Sequence, residues 1–307
     1  MKVVVTGGAG FIGSNIADAF VARGDEVLVI DDLSTGREAN IPGAAKLERH
    51  DVRSPEASRA LVAFRPDVLC HLAAQLDVRV SVGDPCLDAD VNVVGSLRLL
   101  EACREAGTRR VLFSSTGGAI YGEQDVFPCD ETHATRPISP YGCAKLAVEH
   151  YLYYYAAVHG FRTTSLRYAN VYGPRQSPHG EAGVVAIFAR KLLSGVVPVI
   201  NGDGAQTRDF VYVGDVVRAN VLALEKELSG SYNVGTGVET SVTTLYDSIR
   251  RATGSTAAPK HAPAKLGEQM RSSLDATQLE RATGFRPRTE LDEGIRATVE
   301  YFRTSEG

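Results

Sequence analysis

Met1-Lys2-Val3-Val4-Val5-Thr6-Gly7-Gly8-Ala9-Gly10-Phe11-Ile12-Gly13 is the stretch on which the reading of this chain turns. Three consecutive valines predict a strand buried on both faces, which is what the middle of a parallel sheet requires. Gly7, Gly10 and Gly13 then recur every third residue, while Ile12, Ile16, Ala17 and Phe20 begin a helical repeat. At a strand-to-helix turn of this kind the first glycine permits the tight bend. The second lets backbone come close to a pyrophosphate, and the third lets helix pack on strand. The unpaired N–H groups and positive end of the helix then face the phosphates. Glycines alone can mark a plain turn. Here the strand before, the helix after and an acid downstream together favour a dinucleotide site.

That acid closes the next unit. Arg23-Gly24 stops the first helix, Glu26 to Ile30 reads as a second strand, and Asp31-Asp32 follow directly. Asp31 stands 18 residues after Gly13, near the spacing at which a carboxylate accepts from the adenosine ribose hydroxyls. A carboxylate there repels a 2′-phosphate, so NAD is preferred over NADP, with Arg37 nearby tempering the preference. Asp32 is as readily a turn cap. Further strands are expected at Lys46 to Arg49 (running into His50-Asp51-Val52), Val68 to Leu72, Arg110 to Ser114 and Thr163 to Arg167. Helices are expected at Pro55 to Phe64, Asn92 to Ala106 (stopped by Gly107) and Tyr141 to His159. This alternation predicts an α/β fold, a doubly wound parallel (Rossmann) sheet. Ala73 and Ala74, just past a strand end, suit close approach of a ligand to backbone.

From Tyr172 the alternation weakens into shorter pieces: helix Val184 to Ser194, strands Val197 to Ile200 and Asp209 to Val213, helix Asp215 to Leu228, and three further helical segments. The expected division is a nucleotide-binding domain over residues 1–171, with elements from about 208–235 returning to it. A smaller C-terminal α/β substrate lobe spans 172–307. The 307 residues, 44% hydrophobic and 23% charged with net charge −4, carry no basic footprint for nucleic acid. No run is apolar enough for a membrane span, and the N-terminus does not read as a signal peptide. Cys70, Cys86, Cys103, Cys129 and Cys143 are scattered without a CxxC pair. They read as reduced structural thiols of a cytoplasmic protein, not as a disulfide framework or metal site.

Tyr141 and Lys145, four apart, share one helix face. An ammonium near a phenol favours the phenolate and is expected to lower its pKa, which makes Tyr141 a general base for an alcohol. Thr116, beyond the strand ending Phe113-Ser114-Ser115, can relay a proton or orient a substrate. It opens a long loop, Thr116 to Pro140, of the kind that usually serves function. A solvated helix face and a turn-capping threonine are the bland alternatives for these residues taken singly.

In order along the chain stand Thr6-Gly-Gly-Ala-Gly-Phe-Ile-Gly13, His71-Leu-Ala-Ala74, Ser114-Ser-Thr-Gly-Gly-Ala-Ile-Tyr-Gly122, Tyr141-x-x-x-Lys145 and Arg167-Tyr-Ala-Asn-Val-Tyr-Gly-Pro-Arg175. Together they resemble the extended short-chain dehydrogenases/reductases, and within them the UDP-hexose 4-epimerase family. The resemblance covers essentially the whole chain. It implies 4-epimerisation of UDP-glucose-type sugars with tightly bound NAD+, and a homodimer formed through the two long helices. The implied cofactor residues are Gly7, Gly10, Phe11, Ile12, Gly13, Asp31, Asp32, Ser34, Thr35, Gly36, Asp51, Val52, Leu72, Ala73, Ala74, Asn92, Ser114, Tyr141, Lys145 and Tyr168. Asn170, Gly183, Val184, Val199, Asn201 and Arg208 join Thr116 on the sugar nucleotide.

Two departures bear on the substrate. Where the family carries Arg-x-Gly-Asp clamping pyrophosphate and ribose, this chain has Lys265-Leu-Gly-Glu268, so the resemblance implies Lys265 and Glu268 as substrate-binding residues, with a lysine as a point charge where arginine is a fork. A position that is tyrosine in forms restricted to plain hexoses matches Ser272, which implies room for N-acetylated or C6-oxidised sugars. Arg79 and Arg175 are candidates for a C6 carboxylate. Dehydratases and decarboxylases of the superfamily place acids after the active threonine, where Gly117 and Gly118 stand here. A simple 4-reductase and a non-catalytic NAD sensor are the remaining alternatives.

Overall fold

The computed structural model describes residues 1–178, 183–264 and 269–304. Its first part alternates β1 (Lys2–Thr6), α1 (Phe11–Ala22), β2 (Glu26–Ile30), β3 (Lys46–Glu48), α2 (Pro55–Phe64) and β4 (Val68–His71). There follow α3 (Val78–Gly83), α4 (Pro85–Ala89), α5 (Gly95–Ala106), β5 (Arg110–Thr116), α6 (Gly117–Ile120), α7 (Pro140–His159) and β6 (Arg162–Tyr168). The rest comprises β7 (Asn170–Tyr172), α8 (Val184–Leu193), β8 (Val199–Asn201), β9 (Thr207–Tyr212), α9 (Val213–Glu225) and β10 (Gly230–Val234). It ends with β11 (Glu239–Ser241), α10 (Val242–Thr253), β12 (Lys260–Ala262), α11 (Thr277–Thr283) and α12 (Leu291–Thr304).

Seven strands form one parallel sheet in the order β10-β6-β5-β4-β1-β2-β3. The valine run sits at its centre, and pleating sorts it between two cores. Val3 and Val5 pack with Ile16 and Phe20 of α1 and Val216 and Ala219 of α9. Val4 packs on the other face with Leu61 of α2, Leu99 of α5 and Leu152 of α7. Complete burial of each valine stabilises by roughly 1.5–3 kcal/mol. The chain leaves β1 towards β2 and β3 on one side and towards β4, β5 and β6 on the other. The crevice beyond the ends of β1 and β4 is therefore the topological switch point, where open α/β sheets bind ligands.

The expectations for the α/β order hold, with differences at element ends. The helix expected from Asn92 starts at Pro85, where Asp84 caps it by accepting from Leu87 N–H at 2.9 Å. A π-helical turn over Asp90–Val94 joins α4 to α5, and its extra residue shifts the helical period that marks a helix in sequence. The loop from Thr116 contains a helical turn, α6, and reaches the C-terminal part through a bridge between Cys129 and Leu274. Of the later elements, α9 packs on α1 and β10 joins the main sheet beside β6. β9 instead lies between β7 and β11 in a separate sheet. A third core links α8, α10 and α12. All five cysteines are free thiols, and no described helix is long and apolar enough to cross a membrane.

Candidate active site

Glycine is required at the switch point by space. Gly7 has φ +68°, and a Cβ there would stand 2.7 Å from Ala73 N. On Gly13 a Cβ would lie 2.1 Å from Gly7 O, inside any permissible contact. Gly10 occupies the N-cap of α1 with no side chain capping it. The first N–H groups of α1 thus converge on the crevice with the positive end of the helix behind them, an arrangement suited to a pyrophosphate.

Asp31, at the end of β2, is buried. Its Oδ2 accepts from Ala9 N–H and its Oδ1 from Leu33 N–H, each at 2.9 Å. Burial pushes its carboxyl up while the two N–H groups pull it down. Asp31 is thereby fixed against the glycine turn with lone pairs left for a ribose. Asp32 is exposed and closes a turn by accepting from Ser34 N–H at 2.9 Å and from its hydroxyl at 2.6 Å. The capping alternative therefore describes Asp32. The Ser34–Gly36 loop lies on the glycine turn: a Cβ on Gly36 would be 2.8 Å from the Ala9 Cβ. Val52 is buried, while Asp51 is forked by Arg53, whose hydrogen bonds hold its carboxyl below the usual range.

The loop after β4 is held by a chain of side chains in which Ser96 joins Thr6, His71 and Asn92, the three already singled out in the sequence. Thr6 Oγ1 accepts from Leu72 and Ala73 N–H, each at 3.2 Å, so its own proton points to His71 Nδ1 at 2.7 Å. His71 then carries its proton on Nε2 and donates to Ser96 Oγ at 2.8 Å, which donates to Asn92 O at 2.5 Å. Burial, with Lys145 adding its charge, pushes the imidazole down to about 3, so the ring is neutral. Asn92 grips the Gln75 backbone at both ends, 2.8 and 2.9 Å. Its amide thus shapes the wall formed by Leu72, Ala73 and Ala74.

One strand over, Thr116 ends β5 opposite Tyr168 of β6. Ser139 caps α7 by accepting from Gly142 N–H at 3.1 Å, and this sets Tyr141 in the first turn and Lys145 one turn on. Lys145 is buried. It donates to Ser114 O at 2.8 Å and lies over the Phe113 and Tyr141 rings at 4.7 and 5.8 Å. Burial pushes its ammonium down to about 8, against the pull of Asp88 and Glu149. The expected lowering of the Tyr141 phenol is not found in the chain alone: burial, and secondarily Asp88, raise it. The reason is geometric, because the Lys145 ammonium addresses a carbonyl and ring faces. Tyr168 is also buried and exchanges hydrogen bonds with Asn220 of α9 at 2.8 and 3.1 Å.

Behind α7 lies a buried ion pair with no signature in the linear chain. Glu149 accepts from Arg167 Nε and Nη2 (2.6 Å to Nη2) and from Ser115 Oγ at 2.6 Å. Arg167 Nη1 donates to Tyr121 OH, which donates to Asn233 of β10. The network ties the helix of Tyr141 and Lys145 to β5, β6 and β10.

In the C-terminal part, Asn170 of β7 stands opposite Phe210, two residues along β9 from Arg208. Gly183 caps α8, which Val184 begins, and a Cβ on it would meet Ser177 O at 2.5 Å. Val199 and Asn201 bound β8, and Gln206 Nε2 donates to Asn201 O at 3.1 Å. Arg208 donates to Thr207 O. Lys265 and Glu268 lie outside the described residues. Ser272 is buried, with Gln124 Nε2 at 3.4 Å from its Oγ. The arginines considered for a sugar carboxylate are engaged otherwise: Arg175 meets Asp18 of α1 at 2.6 Å, and Arg79 lies 3.7 Å from Asp77.

A family described as the NAD dependent epimerase/dehydratase family matches residues 3–235. The UDP-glucose 4-epimerase of Mycolicibacterium smegmatis is 46% identical, covering 99% of both chains. Among solved structures, a UDP-glucose 4-epimerase of Thermotoga maritima with UDP-glucose superposes with TM-score 0.96 at 46% identity, covering all of both chains. That of Thermus thermophilus in complex with NAD gives TM-score 0.94 at 48% identity, over 99% of this chain and 100% of that one.

Proposed function

The chain belongs to the NAD dependent epimerase/dehydratase family, and from that premise we propose that it is a UDP-sugar 4-epimerase interconverting UDP-glucose and UDP-galactose. The observation that carries the reading is the placement of Thr116, Tyr141 and Lys145 on β5 and α7, with β4 alone between β5 and the strand that leads into the glycine cradle, and Asp31 at the end of the next strand, β2. The glycine turn and uncapped α1 would hold the pyrophosphate of NAD, Asp31 the adenosine ribose, and the Leu72 to Ala74 wall the crevice between. When bound, NAD+ supplies a hydride acceptor for the sugar C4 and a positive ring beside the Tyr141 phenol.

Tyr141 takes the proton of the sugar 4′-hydroxyl, directly or through the Thr116 hydroxyl, and returns it to the same oxygen once the sugar has turned its other face to the site. The Lys145 ammonium supports the phenolate. Asn170, Gly183, Val184, Val199, Asn201 and Arg208 hold the uridine diphosphate, Arg208 through its planar fork. The sugar remains free to turn about its diphosphate link. Dehydration and decarboxylation lack their acid: a Cβ on Gly117 would strike the Leu274 side chain at 2.4 Å, and Gly118 beside Thr116 carries no side chain. The short Arg175–Asp18 pair favours a neutral hexose over a uronic acid. Ser272 favours tolerance of an N-acetyl group as a second reading.

Tyr151, Tyr154 and Val158 of α7 are exposed and, at spacings of three and four, share one helix face. This face is suited to a homodimer through α5 and α7. Residues 1–171 with the returning α9 and β10 form the cofactor lobe, and the remainder to 307 the sugar-nucleotide lobe. Free thiols accord with the cytoplasm. The test is direct: purified protein given UDP-galactose yields UDP-glucose with no added NAD+ and no net NADH. A requirement for stoichiometric NADH refutes epimerisation.

A further inference from the structure

Lys145 carries its ammonium into a site closed to water. It is 3% exposed, and its hydrogen bond among the described residues goes to an uncharged carbonyl. A buried ammonium without a counter-charge is costly. The charged groups around it fall out element by element. On α7, Glu149 is gripped by Arg167 and Ser115, so its charge is already answered. From β4, His71 is neutral. Ahead of α3, Asp77 lies beside Arg79, and in the π-helical turn Asp90 meets Arg53 at 2.9 Å.

There remains Asp88, on α4, which packs along α7. Asp88 is 1% exposed. Its Oδ1 accepts from Gln75 Nε2 at 3.1 Å and from Asn92 Nδ2 at 3.0 Å. Its Oδ2, buried as completely, has no hydrogen-bond partner. A bare carboxylate oxygen in a dry site costs about as much as a lost charged hydrogen bond, unless its charge serves another group. Burial pushes the Asp88 carboxyl up, while the Asn92 and Gln75 hydrogen bonds and the Lys145 charge pull it down; its field in turn favours the Lys145 ammonium and reaches the Tyr141 phenol.

We propose that Asp88 is a positioning residue of the reaction: its unshared Oδ2 supplies the counter-charge that keeps Lys145 an ammonium beside Tyr141. Its shared Oδ1 fastens Gln75 and Asn92 beneath the wall of the cofactor crevice. The lysine beside Tyr141 thus has its own acid, separate from the Glu149–Arg167 pair. The inference rests on the Tyr141–Lys145 reading of the site, and two measurements separate the fates of the two.

The first needs no turnover. Urea unfolding at pH 7 is compared for the whole chain, Asp88→Asn, Lys145→Met and the double variant. Asparagine keeps an acceptor for Gln75 and Asn92 and removes only the charge; Asp88→Ser serves if the amide does not fold. A coupled pair makes the double variant's unfolding constant about ten-fold smaller than the product of the single effects implies. The second is the pH profile of kcat/KM for UDP-galactose. In Asp88→Asn its alkaline limb moves about one pH unit towards acid, because the ammonium is lost sooner. Single effects that simply multiply, or a rate lowered uniformly with the limb unmoved, overturn the assignment. Should the unaltered protein not epimerise, the functional reading fails while the unfolding cycle still decides the role of Asp88.

Discussion

Replacing Gly13 by alanine adds one methyl group at the tightest point of the cofactor turn. The new Cβ would stand 2.1 Å from Gly7 O, 2.8 Å from Gly7 C and 3.0 Å from Gly8 Cα. Carbon atoms in contact settle at about 3.5 Å, and all three neighbours are backbone, so no rotamer change relieves the clash. The start of α1 must move away from the β1 turn by roughly 1 Å, at about 1–3 kcal/mol of overpacking. The same shift turns the free N–H groups of α1 off the pyrophosphate. Losing one charge-assisted hydrogen bond, about 1.5–3 kcal/mol, lowers NAD affinity about ten-fold or more. Gly43→Ala is the control, because its φ is ordinary and nothing lies within 4 Å of the added atom. The assay is NAD per chain after desalting, measured by chromatography of the denatured protein, beside the urea midpoint. Gly13→Ala is expected to lose cofactor and midpoint while Gly43→Ala keeps both. Full cofactor content and an unchanged midpoint in Gly13→Ala would refute the packing argument.

Tyr141→Phe keeps the ring and removes the proton acceptor, so bound NAD is retained and turnover falls by about 10²–10⁴; a variant turning over at the full rate removes Tyr141 from the chemistry. Glu149→Ala leaves the buried Arg167 charge unpaired and is expected to cost about 3–5 kcal/mol in urea unfolding, whereas a loss within experimental scatter means water reaches the pair. For His71, whose imidazole is lowered from 6.5 to about 3 by burial, the folded state binds fewer protons than the unfolded one. Its contribution to stability is therefore present above pH 6.5 and is lost as pH falls towards 3. His71→Gln should flatten that part of the stability profile, and an unaltered slope would show that the ring is not the titrating group.

What the sequence disclosed is what local physics encodes. The valine run, the glycine spacing and the βα alternation are contiguous, and each is legible because its cause lies within about a dozen residues. Tyr141 and Lys145 are legible for the same reason, being one helix turn apart. The Arg175 partner, Asp18, lies on α1 and comes into reach only when the segment after β7 lies against the first helix, where Asn15 also meets Pro174 O. The alignment of Glu149 with Arg167 needs α7 folded across β6. Asp88 is hidden behind the π-helical turn, although it stands four residues before Asn92 on the same helical face. The expectation for the Tyr141 phenol fails because spacing fixes which face a lysine shares and leaves open which atom its ammonium addresses. Ser114 O, at 2.8 Å, takes that hydrogen bond.

The central claim is that one hydride leaves the sugar C4 and returns to the same carbon from within the site. UDP-glucose carrying deuterium at C4, incubated with the purified protein in ordinary water, tests it by mass spectrometry and NMR of the product. The account predicts UDP-galactose with the deuterium still on C4. Deuterium washed out to solvent, or no inversion at C4, would contradict it.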